Sequence, residues 1–325
     1  MSTNVSRTGS GPATSDDARQ NEYRRAEVAL WSHYGLEPRE HFVTTGSPSA
    51  RLRVVEVGSG DPVLFVPGTA GTGPYLGALI RELGEFRCLV MDRPGWGLSS
   101  PVDYSQHDFG MLTAGLLKDV LDGLGIERAH VVGASIGGVW ALRLAQRFPS
   151  RVGAVALLGG GPLVREKAVP KFIKLLRSPI GRVIVTLPEK PGRLRSIMRS
   201  MGQGRSLDEG RIPDVYVDWH VALSNRTASM RHEREMVRAI VRRRGFDPAL
   251  TLDEADLASI PHRTCMVFGT RDPNGPVELW ERLRAAMPHA ELHVMDGGHL
   301  PWLDDPVQVA TVLARLFQRG AHSAS

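Results

Sequence analysis

The sequence lacks most of the features that mark disulfide-rich, membrane-spanning or metal-dependent proteins. Its 325 residues include two cysteines, too few for a disulfide framework. The longest apolar runs, such as residues 152–158, have the length of a strand and not of a membrane span. The histidines show no metal-ligand spacing, and His232-Glu233 is not part of a His-Glu-x-x-His motif. No metal or other cofactor is therefore expected.

The N-terminal segment has little apolar character. Residues 1–20 are rich in Ser, Thr, Gly and Asp and contain no apolar core of a signal peptide. That composition predicts a disordered N-terminal tail. We expect a cytoplasmic protein in which Cys88 and Cys265 are free thiols within buried strands.

Aromatic residues are scarce, and they are not interleaved with the basic ones. They make up 6% of the chain, and no recognised nucleic-acid-binding fold is present, so no nucleic-acid partner is expected. Positive charge is concentrated in residues 161–259, which contain 19 Lys or Arg and 12 Asp or Glu. Such charge usually faces water. The alternatives are attraction of an anionic substrate or of an acidic membrane surface.

Strand-like and helix-like patterns alternate along much of the chain. An amphipathic helix is predicted over residues 21–34, and alternation continues to a strand at residues 152–158. The predicted strands before it are 42–45, 53–57, 63–66, 87–91 and 129–132. This order predicts an α/β fold with a doubly wound, mostly parallel sheet and helices on both faces.

The alternation stops between Leu158 and Thr264. About a hundred residues stand where one helix would suffice, and their helical spacing predicts an inserted lid. We therefore expect a core formed by residues 21–160 and 260–325, with a helical cap at 161–259. Within this cap, the pattern of residues 230–241 puts Val237 and Ile240 on one side and directs the charged residues to water.

A nucleophile elbow is the strongest chemical motif. Residues 130–134 form a strand-like run that leads into a Gly-x-Ser-x-Gly motif at residues 133–137. Ser135 is the central residue of this motif, and a helical pattern follows it. A tight turn from strand to helix exposes the serine hydroxyl and points the helix N-terminus at it. Ser135 is therefore the candidate nucleophile.

An acid and a base follow in the chain order typical of such a site. Asp272 comes directly after the predicted strand 264–269, and His299 lies in a Gly-rich loop after the next strand. Asp272 could also cap the following helix. Chain order favours Asp272 as the acid and His299 as the base.

Together these motifs resemble the α/β-hydrolase family over about residues 38–318. Residues 63–71 are similar to the strand and Gly-rich loop that contribute to the family's oxyanion hole, and residues 91–99 resemble its Asp-x-Pro-Gly-x-Gly-x-Ser turn. In that turn Asp92 is expected to bind backbone amides. The resemblance implies an eight-stranded sheet with an inserted helical cap.

The resemblance also implies an oxyanion hole formed by backbone N–H groups, which we assign to Thr69 and Ile136. Many relatives carry His-Gly where this chain has Pro67-Gly68. The histidine braces the loop in those relatives, whereas the oxyanion itself needs only backbone donors.

These residues predict a serine hydrolase that cleaves a small-molecule ester, lactone or thioester through an acyl-enzyme. A serine at the elbow argues against epoxide hydrolases and haloalkane dehalogenases, which resemble this fold but use aspartate there. Hydrolases of carbon–carbon bonds are similar in pattern but typically carry Asn before the serine and Trp after the histidine. This chain has Ala134 and Leu300 there, so cleavage of a carbon–carbon bond is a less favoured reaction of the same triad. Two alternatives remain open: a slow or non-catalytic binding protein of the same fold, and a cofactor-free perhydrolase or haloperoxidase.

Overall fold

The computed structural model describes residues 15–69, 71–160, 169–242 and 245–321. Its strands are β1 Arg39–Thr44, β2 Arg51–Val57, β3 Asp61–Val66, β4 Phe86–Met91, β5 Ala129–Ala134, β6 Val152–Leu158, β7 Val241–Arg242, β8 Gly245–Phe246, β9 Thr264–Gly269 and β10 Ala290–Met295. Within these ranges, eight strands form one sheet in the order β1-β2-β4-β3-β5-β6-β9-β10, and β7 and β8 form a small hairpin.

The sheet is parallel except at one edge. β1 is antiparallel to β2 and β2 to β4, and every other neighbouring pair in the sheet is parallel. The prediction of a mostly parallel, doubly wound sheet is confirmed. Because the carboxyl ends of the parallel strands meet at one edge, the loops after β3, β5, β9 and β10 converge there.

The α-helices are α1 Ser15–His33, α2 Gly77–Arg81, α3 Phe109–Gly123, α4 Gly137–Arg147, α5 Lys171–Arg177, α6 Pro179–Ile184, α7 Pro191–Met198, α8 Gly204–Asp208, α9 Asp214–Arg226, α10 Ser229–Ile240, α11 Glu254–Ala258, α12 Val277–Ala285, α13 Pro301–Asp304 and α14 Pro306–Ala321. Helix α1 begins at Ser15, so the prediction of a disordered tail was wrong for residues 15–20. The rest of that expected tail, residues 1–14, lies outside the described residues.

Two apolar cores lie on the two faces of the sheet. Because side chains alternate along a strand, Leu64 packs into the core beneath α3 and α4, while Phe65 packs into the core with α1 and α14. Cys88 and Cys265 lie in β4 and β9, buried as expected. Burial raises the pKa of the Cys88 thiol to about 12, so it is an inert apolar residue at neutral pH.

Helices α5 to α11 lie between β6 and β9, and we call the described residues 169–263 the helical insertion. Helix α9 packs against α1, and buried Trp219 and Leu223 lie in the same core as Trp31. The insertion is thus attached to the sheet domain by apolar packing as well as by its two chain connections. Among the described residues, no helix has both the length and the apolar character needed to cross a bilayer.

Candidate active site

Ser135 lies in the turn that joins β5 to α4. Its φ is 51°, and it is the one non-glycine residue with a positive φ in the part of the chain that the structure describes. An L-residue in that region is strained, so the surrounding contacts must hold it there. Its amide donates to the Leu158 carbonyl at 2.9 Å. A side chain at Gly133 would collide with the backbone of Gly138, which explains why the turn needs glycine.

Asp272 follows β9 and His299 follows β10, so the topology brings both beside Ser135. His299 Nδ1 lies 2.9 Å from Asp272 Oδ2, and His299 Nε2 lies 3.0 Å from Ser135 Oγ. In the tautomer that fits both contacts, Nδ1–H donates to the carboxylate and Nε2 accepts from the hydroxyl. The Asp272 side chain is 0% exposed and that of His299 is 6% exposed. The three predicted residues are therefore aligned for proton transfer.

Two residues that sequence reasoning did not single out hold this line of groups in place. The Asn274 backbone amide donates to Asp272 Oδ1 at 2.8 Å, which fixes the carboxylate. The His299 backbone amide donates to the Met201 carbonyl at 2.8 Å. Met201 belongs to the helical insertion, so the insertion fixes the histidine loop.

Asp304 also holds the loop that carries His299 in place. Its buried carboxylate accepts from the Gly298 amide at 2.7 Å and from Gln203 Nε2 at 3.1 Å. It also accepts from the Ser206 hydroxyl. The sequence pattern does not indicate this role, because Gln203 and Ser206 are distant from Asp304 in the chain.

The other nearby carboxylates have different partners. Asp296 pairs at the surface with Arg271 and Arg205, and the hydrogen bond from Arg271 lowers its pKa. Asp92 is fully buried and accepts from the Leu98 amide at 3.2 Å and the Gly73 amide at 3.3 Å. Asp92 therefore binds turn amides, as the sequence predicted.

Thr69 and Ile136, the two candidate oxyanion donors, line the same cavity as Ser135 and His299. The loop that carries Gly68 and Thr69 approaches the serine so closely that a side chain on Gly68 would lie 2.7 Å from Ser135 Cβ. Arg93 donates to the Gly68 carbonyl at 2.9 Å. Many relatives brace this loop with a histidine at the position of Pro67. In this chain Arg93 holds the loop instead.

Glu233 connects the helical insertion to the same loop. It lies on α10, and its carboxylate accepts from Thr69 Oγ1 at 2.6 Å. It also accepts from Arg93 at 3.0 Å and from Trp96 Nε1 at 2.8 Å. The side chains of Glu233 and Arg93 are both 0% exposed. The prediction that the charges of this helix face water was therefore wrong for Glu233, because a buried arginine from the loop after β4 compensates its charge.

We expect Glu233→Gln to lower the free energy of unfolding by about 3 kcal/mol or more, because it leaves the buried Arg93 guanidinium without a counter-charge. Urea-induced unfolding measures the loss. Glu235→Gln, on the exposed side of the same helix, is the matched control and should change stability by less than about 0.5 kcal/mol. Combining Glu233→Gln with Arg93→Met should recover most of the loss. A double variant as unstable as the single one would contradict this explanation.

A cavity of about 430 Å³ extends from Ser135 under the helical insertion. Most of its wall is apolar and comes from the insertion, including Ile173, Ile184, Ile197, Met198, Met230 and Met236. Two of its polar wall residues form an ion pair, in which Arg193 Nε lies 3.8 Å from Glu189 Oε1. Burial lowers the pKa of His220 in the wall to about 4, so its imidazole is neutral at pH 7.

Comparison with known proteins agrees with this architecture. The chain is 27% identical over 259 residues to the 2-hydroxy-6-oxo-6-phenylhexa-2,4-dienoate hydrolase of Burkholderia cepacia, covering 77% of this chain and 84% of the relative. It is 30% identical over 271 residues to a 2-hydroxy-6-oxononadienedioate/2-hydroxy-6-oxononatrienedioate hydrolase of Burkholderia vietnamiensis, covering 80% and 84%.

A solved structure with the same fold is the naproxen esterase (carboxylesterase NP) of Bacillus subtilis. It superimposes with a TM-score of 0.72 at 18% identity, over 94% of this chain and 100% of the esterase. The sequence profile of the Alpha/beta hydrolase family matches residues 63–312. With the curated relatives that are hydrolases, these matches show that the chain is an enzyme and belongs to the α/β-hydrolase family.

Proposed function

We propose that this hydrolase cleaves a carboxylic ester with an apolar acyl or alcohol group, through an acyl-enzyme on Ser135. The observation that carries the proposal is the continuous line of hydrogen bonds from Asp272 through His299 to Ser135 Oγ at the end of an apolar cavity. Lactones and thioesters present the same reacting carbonyl and belong to the same proposal.

In the first half-reaction, His299 Nε2 takes the hydroxyl proton as Ser135 Oγ attacks the carbonyl carbon. Asp272 keeps the imidazole in the tautomer that can accept this proton and stabilises the imidazolium. The backbone amides of Thr69 and Ile136 donate to the developing oxyanion. His299 then protonates the leaving alcohol, and the acyl group stays on Ser135.

In the second half-reaction, His299 takes a proton from water, which attacks the acyl-enzyme. Collapse of the second tetrahedral intermediate returns the proton to Ser135 Oγ and releases the acid. The buried positions of Asp272 and His299 favour this cycle, since a dry site strengthens the interaction between the imidazolium and the carboxylate.

The charges of the cavity favour an apolar substrate over an anionic one. Among the described wall residues, the positively charged one is Arg193, and its charge is compensated by Glu189. Burial keeps His220 neutral. A carboxylate inside such a cavity would lose its hydration without gaining a counter-ion.

Cleavage of a carbon–carbon bond is the second candidate, and the names of the curated relatives favour it. Those names describe dienoate and dienedioate substrates, which carry one or two carboxylates. The cavity of this chain offers no uncompensated cation among its described residues. Leu300, after the histidine, supplies only an apolar contact there. We therefore rank ester hydrolysis first.

Steady-state rates on aryl esters of increasing acyl length, on lactones, on acyl-CoA thioesters and on a 2-hydroxy-6-oxo-dienoate test this proposal, with the Ser135→Ala variant as the blank. We expect kcat/KM to rise with acyl length as methylenes enter the apolar cavity. A dienoate turned over with a higher kcat/KM than every ester would overturn the ranking. No turnover of any compound above the blank would overturn the proposal itself.

A further inference from the structure

Helices α5 and α6, together with the segment that follows α6, expose apolar side chains on the surface of the helical insertion. Ile180 is 63% exposed and Val183 is 59% exposed, and Phe172, Leu175 and Leu187 are also exposed. Phe172 and Leu175 are three residues apart on α5, and Ile180 and Val183 are three apart on α6, so each pair shares a helix face. We call these five residues the outer apolar face.

This face is additional to the apolar surface that the two helices need for folding. Leu176 of α5 is fully buried in the core, and Ile173 and Ile184 line the catalytic cavity. Both helices are therefore apolar toward the protein and toward solvent. A cluster of exposed apolar side chains on one surface usually marks an interaction site.

The outer apolar face lies at the mouth of the catalytic cavity. Phe172 and Leu187 belong to the face and also line the cavity that reaches Ser135. An apolar molecule could therefore move from the face to the nucleophile while it stays in contact with apolar side chains.

Basic residues surround the face. Residues 171–193 contain six Lys or Arg and a single acidic residue, Glu189. Lys171, Lys174 and Arg182 are exposed, and no acidic partner lies within ion-pair distance of them in the described part of the chain. Apolar side chains flanked by uncompensated cations are the combination that binds anionic lipid headgroups at an interface.

We propose that the outer apolar face docks this enzyme on an anionic lipid surface, with the cavity mouth turned toward the lipid. A second copy of the chain fits the face less well, because two such surfaces facing each other would bring their uncompensated cations together. The docking does not depend on the proposed ester hydrolysis, because binding needs no turnover.

Flotation of the full-length protein with vesicles measures the docking directly. We expect vesicles of phosphatidylcholine mixed with phosphatidylglycerol to carry more protein than vesicles of phosphatidylcholine alone, and added salt to reduce the bound fraction. The Ile180→Ser/Val183→Ser variant should lower the partition coefficient about tenfold or more. Lys174→Gln/Arg182→Gln should remove the preference for phosphatidylglycerol.

The matched control is Val28→Ser/Val307→Ser, which removes two similarly exposed valines on α1 and α14, outside the outer apolar face, and should leave binding unchanged. Ile180 and Val183 do not line the cavity, so their variant should hydrolyse a soluble ester at the wild-type rate. Failure of the wild-type protein to float with phosphatidylglycerol, or equal loss in the control variant, would overturn the proposal. So would sedimentation velocity showing a wild-type dimer that Ile180→Ser/Val183→Ser converts to a monomer, since a second copy would then cover the face.

Discussion

Ser135→Ala is expected to lower kcat on any ester substrate by about 10⁵-fold or more, because the variant lacks the oxygen that we propose as the nucleophile. The variant differs from the wild type only by the loss of the hydroxyl oxygen, and alanine keeps the β-carbon that lies close to Gly68. We therefore expect the thermal unfolding midpoint to stay near that of the wild type. Steady-state kinetics with an aryl ester, together with labelling by a fluorophosphonate, measure the loss.

A matched control separates this effect from any general effect of removing a hydroxyl. Ser105 is exposed and its hydroxyl donates to Asp103, away from the cavity. Ser105→Ala should keep the wild-type kcat and the wild-type fluorophosphonate labelling. A Ser135→Ala protein that hydrolyses the ester at the wild-type rate would eliminate Ser135 as the nucleophile.

The sequence predicted the parts of the site that depend on local patterns. Ser135, Asp272 and His299 each lie within four residues of the end of a strand-like run, and the carboxyl ends of parallel strands meet at one edge of a sheet. Chain order and strand pattern therefore predict that these residues lie at one edge of the sheet. Their spacing of about 3 Å follows from the fold and agrees with that placement.

Glu233 and Asp304 were not predicted as site residues, because their partners are distant in sequence. The helical pattern of residues 230–241 places Glu233 among the charges that face water. Its burial is favourable because it pairs with Arg93, which this pattern does not reveal. Asp304 stands two residues before a proline, which indicates a helix start, while its partners Gln203 and Ser206 lie in the insertion. Local periodicity contains no information on such pairings.

The insertion shows a second limit of pattern reasoning. Its net positive charge is visible in the sequence, but the position of that charge relative to the cavity is not. The structure places Arg193 in the cavity wall beside Glu189 and leaves Lys171 and Lys174 exposed around an apolar face. Among the described residues, the uncompensated charge thus lies outside the cavity, so the net charge of the insertion indicates the character of its surface and not that of the substrate.

Asp272→Asn is expected to reduce kcat by about 10⁴-fold while the protein stays folded. The asparagine oxygen can still accept from the Asn274 backbone amide, as Asp272 Oδ1 does at 2.8 Å. Its NH₂ group, however, would donate to His299 Nδ1, which stabilises the tautomer that carries its proton on Nε2. That tautomer cannot accept the proton of Ser135, and the imidazolium loses its neighbouring negative charge.

Asp296→Asn is the control for this prediction, because it makes the same chemical change on a carboxylate that pairs with Arg271, next to Asp272 in the chain. Asp296 is exposed and bonds to arginines, so kcat should change by less than about twofold. Stopped assays across pH, with circular dichroism to check folding, compare the two variants. If Asp272→Asn kept the wild-type kcat, or if Asp296→Asn lost as much activity, the acid that orients His299 would not be Asp272. A large loss confined to Asp272→Asn would show that the buried hydrogen bond at 2.9 Å sets the protonation state on which the serine depends.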